Sequence, residues 1–336
     1  MTKTPVALAA LTLVACTAFA QDKAIALRFA SAAPPTSPWA KQIMRDAANV
    51  GAESGGTIKI EAFFNSQLGS ENDTIAQIAR GRVDMGSFTA NAAALQIPQI
   101  ALLNLPLFFD NQTQRDCVLD KHLSETTAQA FAAKGLHFVR WGEVGPIHLP
   151  GKQAYATPES IKGIKVGVVT NKMTTEFWQA MGANPVPTAV AEVSSSMQTG
   201  LIDTYPTPYA FYVPSGLSKI ATVMTKFPLW ESAGVVLANK RTYDKMPAAT
   251  RAAFDRGFAK TSNAQVRGEI RGVDAALTKA HQAAGGEVIQ ATAEQRADWR
   301  ANLPPVWQRI ADDMGAEGKA YYKLMVEGKQ ACGTGQ

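Results

Sequence analysis

The sequence predicts a two-lobed α/β protein with one long helix laid across both lobes. Three observations carry that prediction. Residues 155–209 read as strand, helix, strand, helix, strand, with turn or capping residues at each junction. Such βα crossovers require a mostly parallel sheet covered by helices. A chain of 336 residues is larger than one core usually supports, so two lobes are expected. Between 248 and 281 there is no proline, and Phe254, Phe258, Val266, Ile270, Val273 and Leu277 recur at three or four residues, with Ser262 filling the gap. That spacing makes one apolar stripe. A helix of about 34 residues extends on the order of 50 Å at 1.5 Å per residue, too far for a single lobe.

The elements follow in order. Residues 25–29 (IALRF) are a strand that ends at the loop 31–35. Ser37 and Pro38 cap and start a helix with Trp39, Ile43, Ala47 and Val50 on one side. Residues 57–64 alternate Ile58, Ile60, Ala62 and Phe64 with polar neighbours, a half-buried strand. Gly69 and Ser70 precede a helix bearing Ile75 and Ile78, and 83–88 returns as a strand. Residues 102–109 are apolar and turn-bounded, 110–134 are helical, and 136–144 form a strand that leaves the first lobe.

In the central stretch Pro158 opens a short helix that Gly163 closes, and 164–169 is an apolar strand. Asn171 caps a helix with Phe177, Trp178 and Met181 on one face. A strand from Val186, a helix over 189–199 and a strand at 201–203 complete the crossovers. Residues 233–239 are a further strand; Gly257, Gly268 and Gly272 weaken the long helix, and helices over 291–315 and 317–326 end the chain. The crossings assign 21–144 plus 233–272 to lobe I and 145–232 plus 273–328 to lobe II. Ligands of open α/β sheets sit beyond the strand C-termini, here 168–170 and 205–207.

Composition narrows the function. The chain is 46% apolar and 18% charged, an ordinary globular balance. Its net charge of +5 is scattered rather than striped, so no nucleic-acid partner is expected. Residues 1–20 read as a signal peptide: Lys3, an apolar run at 6–15, and Ala18-Phe19-Ala20 before Gln21. The apolar run is too short to span a bilayer. A competing reading makes Leu13-Val14-Ala15-Cys16 a lipoprotein signal with Cys16 lipidated. An oxidising compartment then permits a disulfide between Cys117 and Cys332, tying the C-terminal tail to a first-lobe helix, with two unpaired thiols as the alternative. The four histidines show no metal-ligand spacing, and no nucleophile elbow, P-loop or dinucleotide fingerprint occurs. No cofactor and no catalytic set are expected. His148, nearest the presumed cleft, reads as a satisfied strand histidine.

The segments TPESIKGIKV, AMGANPVPT, AEVSSSMQTGLIDT and VVLANKRTYDKMP, together with FFNSQLGSENDTIAQIARGRVDMG and LNLPLFF, are collinear across nearly the whole mature chain. In this the sequence resembles the solute-binding subunit of tripartite ATP-independent periplasmic (TRAP) transporters. The resemblance implies a two-lobed periplasmic-binding-protein fold and a hinge that closes on a small organic solute. It also implies delivery to TRAP membrane permease subunits, a periplasmic location and a monomer. A receptor serving a sensor, or an exported enzyme, are the competing readings.

The family's carboxylate-clamping arginine, two residues beyond the strand lysine, falls on Gly167. Its second arginine falls on Ile147, and its asparagine on Thr207. A charge-assisted hydrogen bond contributes roughly 1.5–3 kcal/mol, so two losses cost about a hundredfold or more in affinity. The solute is then neutral, aromatic or cationic, or an anion held by a relocated base such as Arg140 or Lys172. Gly167 is expected to leave a space for ligand or water. Trp178, Trp141, Tyr205 and Phe88 are candidate cleft walls, with packing on the sheet as the alternative for Trp178. Glu71 begins a helix, where the dipole favours it, and Thr89 and Ser31 offer hydroxyls.

Overall fold

The computed structural model describes residues 24–301 and 303–333; the signal-peptide expectation for 1–20, Cys16 included, lies outside them. Among the described residues eight strands form: β1 Ile25–Ser31, β2 Ile58–Phe63, β3 Met85–Thr89, β4 Leu136–Gly151, β5 Lys165–Val168, β6 Asn184–Pro187, β7 Val223–Asn239 and β8 Glu287–Gln290. The helix starts follow the capping chemistry of the sequence. Ser37, Ser70 and Asn171 each accept a hydrogen bond from a backbone N–H three residues on, and Pro38 occupies the first helical position after Ser37.

β1 pairs in parallel with β2 and β3, while β3 and β4 both run antiparallel to β7. The six-stranded sheet has the order β2-β1-β3-β7-β4, with β8 also on β7. β4 and β7, of 16 and 17 residues, stay paired from Leu136↔Asn239 to Gly151↔Val223. They are longer than the expected 136–144 and 233–239 because each supplies the other's hydrogen bonds well past the first lobe. The ladder slips at Phe138/Arg140, Glu143/Gly145 and Ile147/Leu149. Such bulges bend and twist a strand. Gly145, at φ +110°, takes a backbone conformation open chiefly to glycine.

In the second lobe β5 and β6 pair in parallel. The expected third strand at 201–203 forms no ladder. Thr204 bridges Val166 alone, and Thr207 bridges His148, because Pro206 and Pro208 have no N–H to give.

The expected single long helix is three helices: Ala248–Ala259, Asn263–Gly272 and Asp274–Ala283. Ser262 does not continue the stripe. It is extended (φ −66°, ψ 155°) and its side chain accepts from Gln265 N, so it caps a new helix. The first segment packs on the Pro38–Glu53 helix, the second on β4, and the third on the Tyr209–Tyr212 helix and β8. The run still reaches from one lobe to the other, but as a jointed chain. Gly257 has a packing role as well: a Cβ there would lie 2.6 Å from Val50 Cα.

The C-terminal Gly315–Gly333 helix packs on Gln112–Val118 and Pro98–Asn104, which are first-lobe elements, although the expected division gave 273–328 to lobe II. Cys117 and Cys332 are joined as a disulfide there. One apolar cluster runs from Ile75 and Leu103 through to Trp178 and Trp307, with smaller clusters around Phe254 and around Tyr209. The Leu303–Asp313 helix makes that continuity: Trp307 donates to Pro106 O at 3.0 Å and meets Phe108 edge-on at 5.4 Å. Among the described residues no helix is long and apolar enough to cross a membrane.

Candidate functional site

The bulged middle of β4 and β7 forms the floor of a cavity of about 160 Å³. The ends of β1 and β3, the Pro38–Glu53 helix and residues 205–208 close it from the sides. An apolar cavity of about 150 Å³ admits benzene, so the space suits one ring-sized molecule. Six aromatic side chains stand in the walls: Phe29, Trp39, Phe88, Tyr205, Phe211 and Trp230. Trp39 is fixed by donating Nε1 to Glu143 O at 2.7 Å. Trp230 lines the cavity with its indole Nε1 buried and without a hydrogen-bond partner.

Of the residues singled out in the sequence, Ser31, Glu71, Phe88, Thr89, Ile147, Tyr205 and Thr207 line this cavity. Gly167, Trp178 and Trp141 do not. The space expected over Gly167 is already taken: a Cβ there would lie 2.7 Å from Ile202 Cδ1 and 2.9 Å from Tyr205 Cδ2. Trp178 is buried against the neighbouring Phe177 at 4.7 Å, on the core face of its helix. Trp141 is buried beside a π-helical turn at Leu119–Leu123 that interrupts the 112–132 helical run. Its Nε1 donates to Leu119 O (3.2 Å) and Ser124 Oγ (2.8 Å).

Sequence reasoning missed Trp39, Phe211, Trp230 and Asp46. Trp39 sits in the helical stripe that reads as core, and the other aromatics carry no periodic signal. His148 lies behind the lining. Its backbone exchanges hydrogen bonds with Thr207, and its ring is 3.7 Å from Asp274, with neither ring nitrogen hydrogen-bonded.

Three carboxylates and one guanidinium reach the lining: Asp46, Glu71, Glu143 and Arg140. Arg140 pairs with Asp46 through Nη2. Burial pushes the Asp46 carboxyl up to about 6 against the pull of Arg140, and burial also lowers the Arg140 guanidinium. Both members thus move toward their neutral forms, so desolvation outweighs their attraction. Glu143 is neutralised from behind by Arg115 (3.0 Å) and Arg271 (3.0 Å). Glu71 accepts from Thr89 N at 2.7 Å and from Thr89 Oγ1 at 3.3 Å. Burial raises its carboxyl to about 7, with the Thr89 bonds opposing, and among the described residues no cation pairs with it. Lys172 stands apart, donating to Asp313 O and 3.6 Å from Glu176.

Glu71 also belongs to a second groove, of about 240 Å³, between the lobes, rimmed by Ser70, Asn72, Thr170, Thr188 and Glu192. Nearby the lobes touch directly, where Asn171 Nδ2 donates to Asn91 O and Oδ1, each at 3.3 Å.

Residues 29–313 match the family model described as DctP, bacterial extracellular solute-binding protein, family 7. The C4-dicarboxylate-binding periplasmic protein DctP of Rhodobacter capsulatus is 23% identical over 300 residues, covering 89% of this chain and 90% of that one. Among solved structures, the sugar acid binding protein DctPAm of Advenella mimigardefordensis, in complex with galactonate, superposes with a TM-score of 0.87 at 22% identity, covering 92% of this chain and 99% of that one. A TRAP periplasmic solute-binding protein from Desulfovibrio salexigens with bound orotic acid gives 0.86 at 17% identity, covering 91% and 99%. With the family model spanning most of the chain and the two-lobed architecture shared, the chain belongs to the family of bacterial extracellular solute-binding proteins that serve TRAP transporters.

Proposed function

We propose that this chain is an exported periplasmic receptor that closes on a small solute without a carboxylate-clamping arginine and delivers it to a TRAP-type permease. The observation that carries the reading is the filled position at Gly167, where Ile202 and Tyr205 occupy the room a large basic side chain would need. The two other candidate bases do not replace it: Arg140 is engaged by Asp46, and Lys172 lies outside the cavity. The solute is therefore neutral, aromatic or cationic, and of about one ring in size.

No bond is made or broken. Contacts from both lobes favour the closed arrangement over an open one, a population shift. The bulges in β4 and β7, with the joints at Ser262 and Val273, are where the backbone absorbs the rotation between the two lobes, the Gly315–Gly333 helix staying with the first. The receptor acts as a monomer. A thermal-shift panel of carboxylates, amines, neutral aromatics and polyols tests the reading. Stabilisation by an amine or a neutral ring supports it, and largest stabilisation by a dicarboxylate or sugar acid refutes it.

A further inference from the structure

We infer that the solute is an organic cation, a ring-sized apolar body whose ammonium group is set against Glu71. The inference rests on the clamp-free reading above and narrows it to one charge class.

Charge on the lining is the first support. Asp46 is matched by Arg140, and Glu143 by Arg115 and Arg271. Among the described residues no cation pairs with Glu71, while its two bonds from Thr89 hold the carboxylate in place. An unpaired buried carboxylate is costly, and a bound ammonium supplies the missing partner as a charge-assisted hydrogen bond. The aromatic walls are the second support. Phe88, Tyr205 and Phe211 line the cavity, and aromatic rings attract a cation and exclude water. Trp230, more than nine-tenths buried, keeps its Nε1 unpartnered on the same lining. The adjoining groove is the third support: Glu71 and Glu192 are its charged residues, and no Lys or Arg lines it. A cation meets no like charge on that path.

The charge of Glu71 gives the test its sign. In the empty protein burial lifts its carboxyl to about 7, so at pH 6 it is mostly neutral and must lose its proton to take an ammonium. Affinity for the cation is then about tenfold weaker at pH 6 than at pH 8. The groups that face Glu71 are Thr89, which bonds it, and the Tyr205 phenol, which does not titrate in this range. Across the cavity lie Glu143, held by two arginines, and Asp46, held by Arg140 but itself pushed up to about 6 by burial, which adds a change of at most about twofold over the same interval.

Benzylamine, benzyl alcohol and benzoate share one ring and nearly one size but differ in charge. Calorimetric titration of the full chain with each, at pH 8 and pH 6, is the experiment. Benzylamine is expected to bind at least tenfold tighter than benzyl alcohol at pH 8 and to weaken about tenfold at pH 6. Glu71→Gln should remove the preference and all but the small Asp46 share of the pH dependence, whereas Glu71→Asp, which keeps the carboxylate, should keep the preference. Equal or tighter binding of benzyl alcohol overturns the cation inference and leaves the clamp-free reading standing. Tightest binding by benzoate overturns both. No binding of benzylamine, or an unchanged preference in Glu71→Gln, overturns the inference.

Discussion

Replacing Gly167 by alanine probes the feature on which the ligand class depends. The added Cβ would sit 2.7 Å from Ile202 Cδ1, 2.9 Å from Tyr205 Cδ2 and 3.2 Å from Thr188 Oγ1. The first two are inside contact distance, and Ile202 and Tyr205 are both buried, so neither moves freely. Overpacking of this kind costs about 1–3 kcal/mol. Alanine also restricts the unfolded chain relative to glycine, which offsets about 0.4–1 kcal/mol, since Gly167 has no positive φ to be strained. The net expectation is a loss of about 1–2 kcal/mol. Equilibrium urea unfolding followed by tryptophan fluorescence measures it. Ile202→Val removes the nearest carbon, so the double variant should recover part of the loss, with a coupling of about 0.5–1.5 kcal/mol. If Gly167→Ala is as stable as the parent and the pair is additive, the space over Gly167 is open and the argument fails.

Two further outcomes follow from the fold. Ser262→Ala should cost about 1 kcal/mol by removing the cap of the Asn263–Gly272 helix; unchanged or raised stability in urea would mean that the helix runs through, where alanine is favoured. Reducing the Cys117–Cys332 disulfide, which joins residues 215 apart, should lower the unfolding midpoint. Chain-entropy reasoning puts the loss at up to about 5 kcal/mol, and an identical melting curve with and without reductant would contradict it.

Local chemistry was the most readable part of this sequence. Ser37, Ser70 and Asn171 announce helix starts through their own side chains, and each makes the capping bond. What escaped depends on partners distant in the chain. β7 begins at Val223 because β4 and β8 pair with its first residues, although Pro228 argues locally against a strand. Ser262 fits an apolar stripe by spacing, yet its hydroxyl is worth more as a cap. The site divides the same way. Glu71, Phe88, Thr89 and Tyr205 flank strand ends or helix starts, where topology directs them to the cleft. Aromatic identity says nothing about which face a ring takes: Trp178 and Trp141 went to the core, while Trp39 and Trp230 reached the cavity.

On the function proposed above, loss of the clamp withdraws the sugar acids and dicarboxylates as tight ligands. Titration calorimetry with galactonate, the ligand in the Advenella complex, tests it most directly. A receptor of micromolar affinity has about −8 kcal/mol of binding free energy, and losing about 4 kcal/mol of charge-assisted bonding leaves it near millimolar. No heat of binding is expected below about millimolar galactonate. Micromolar binding would contradict it.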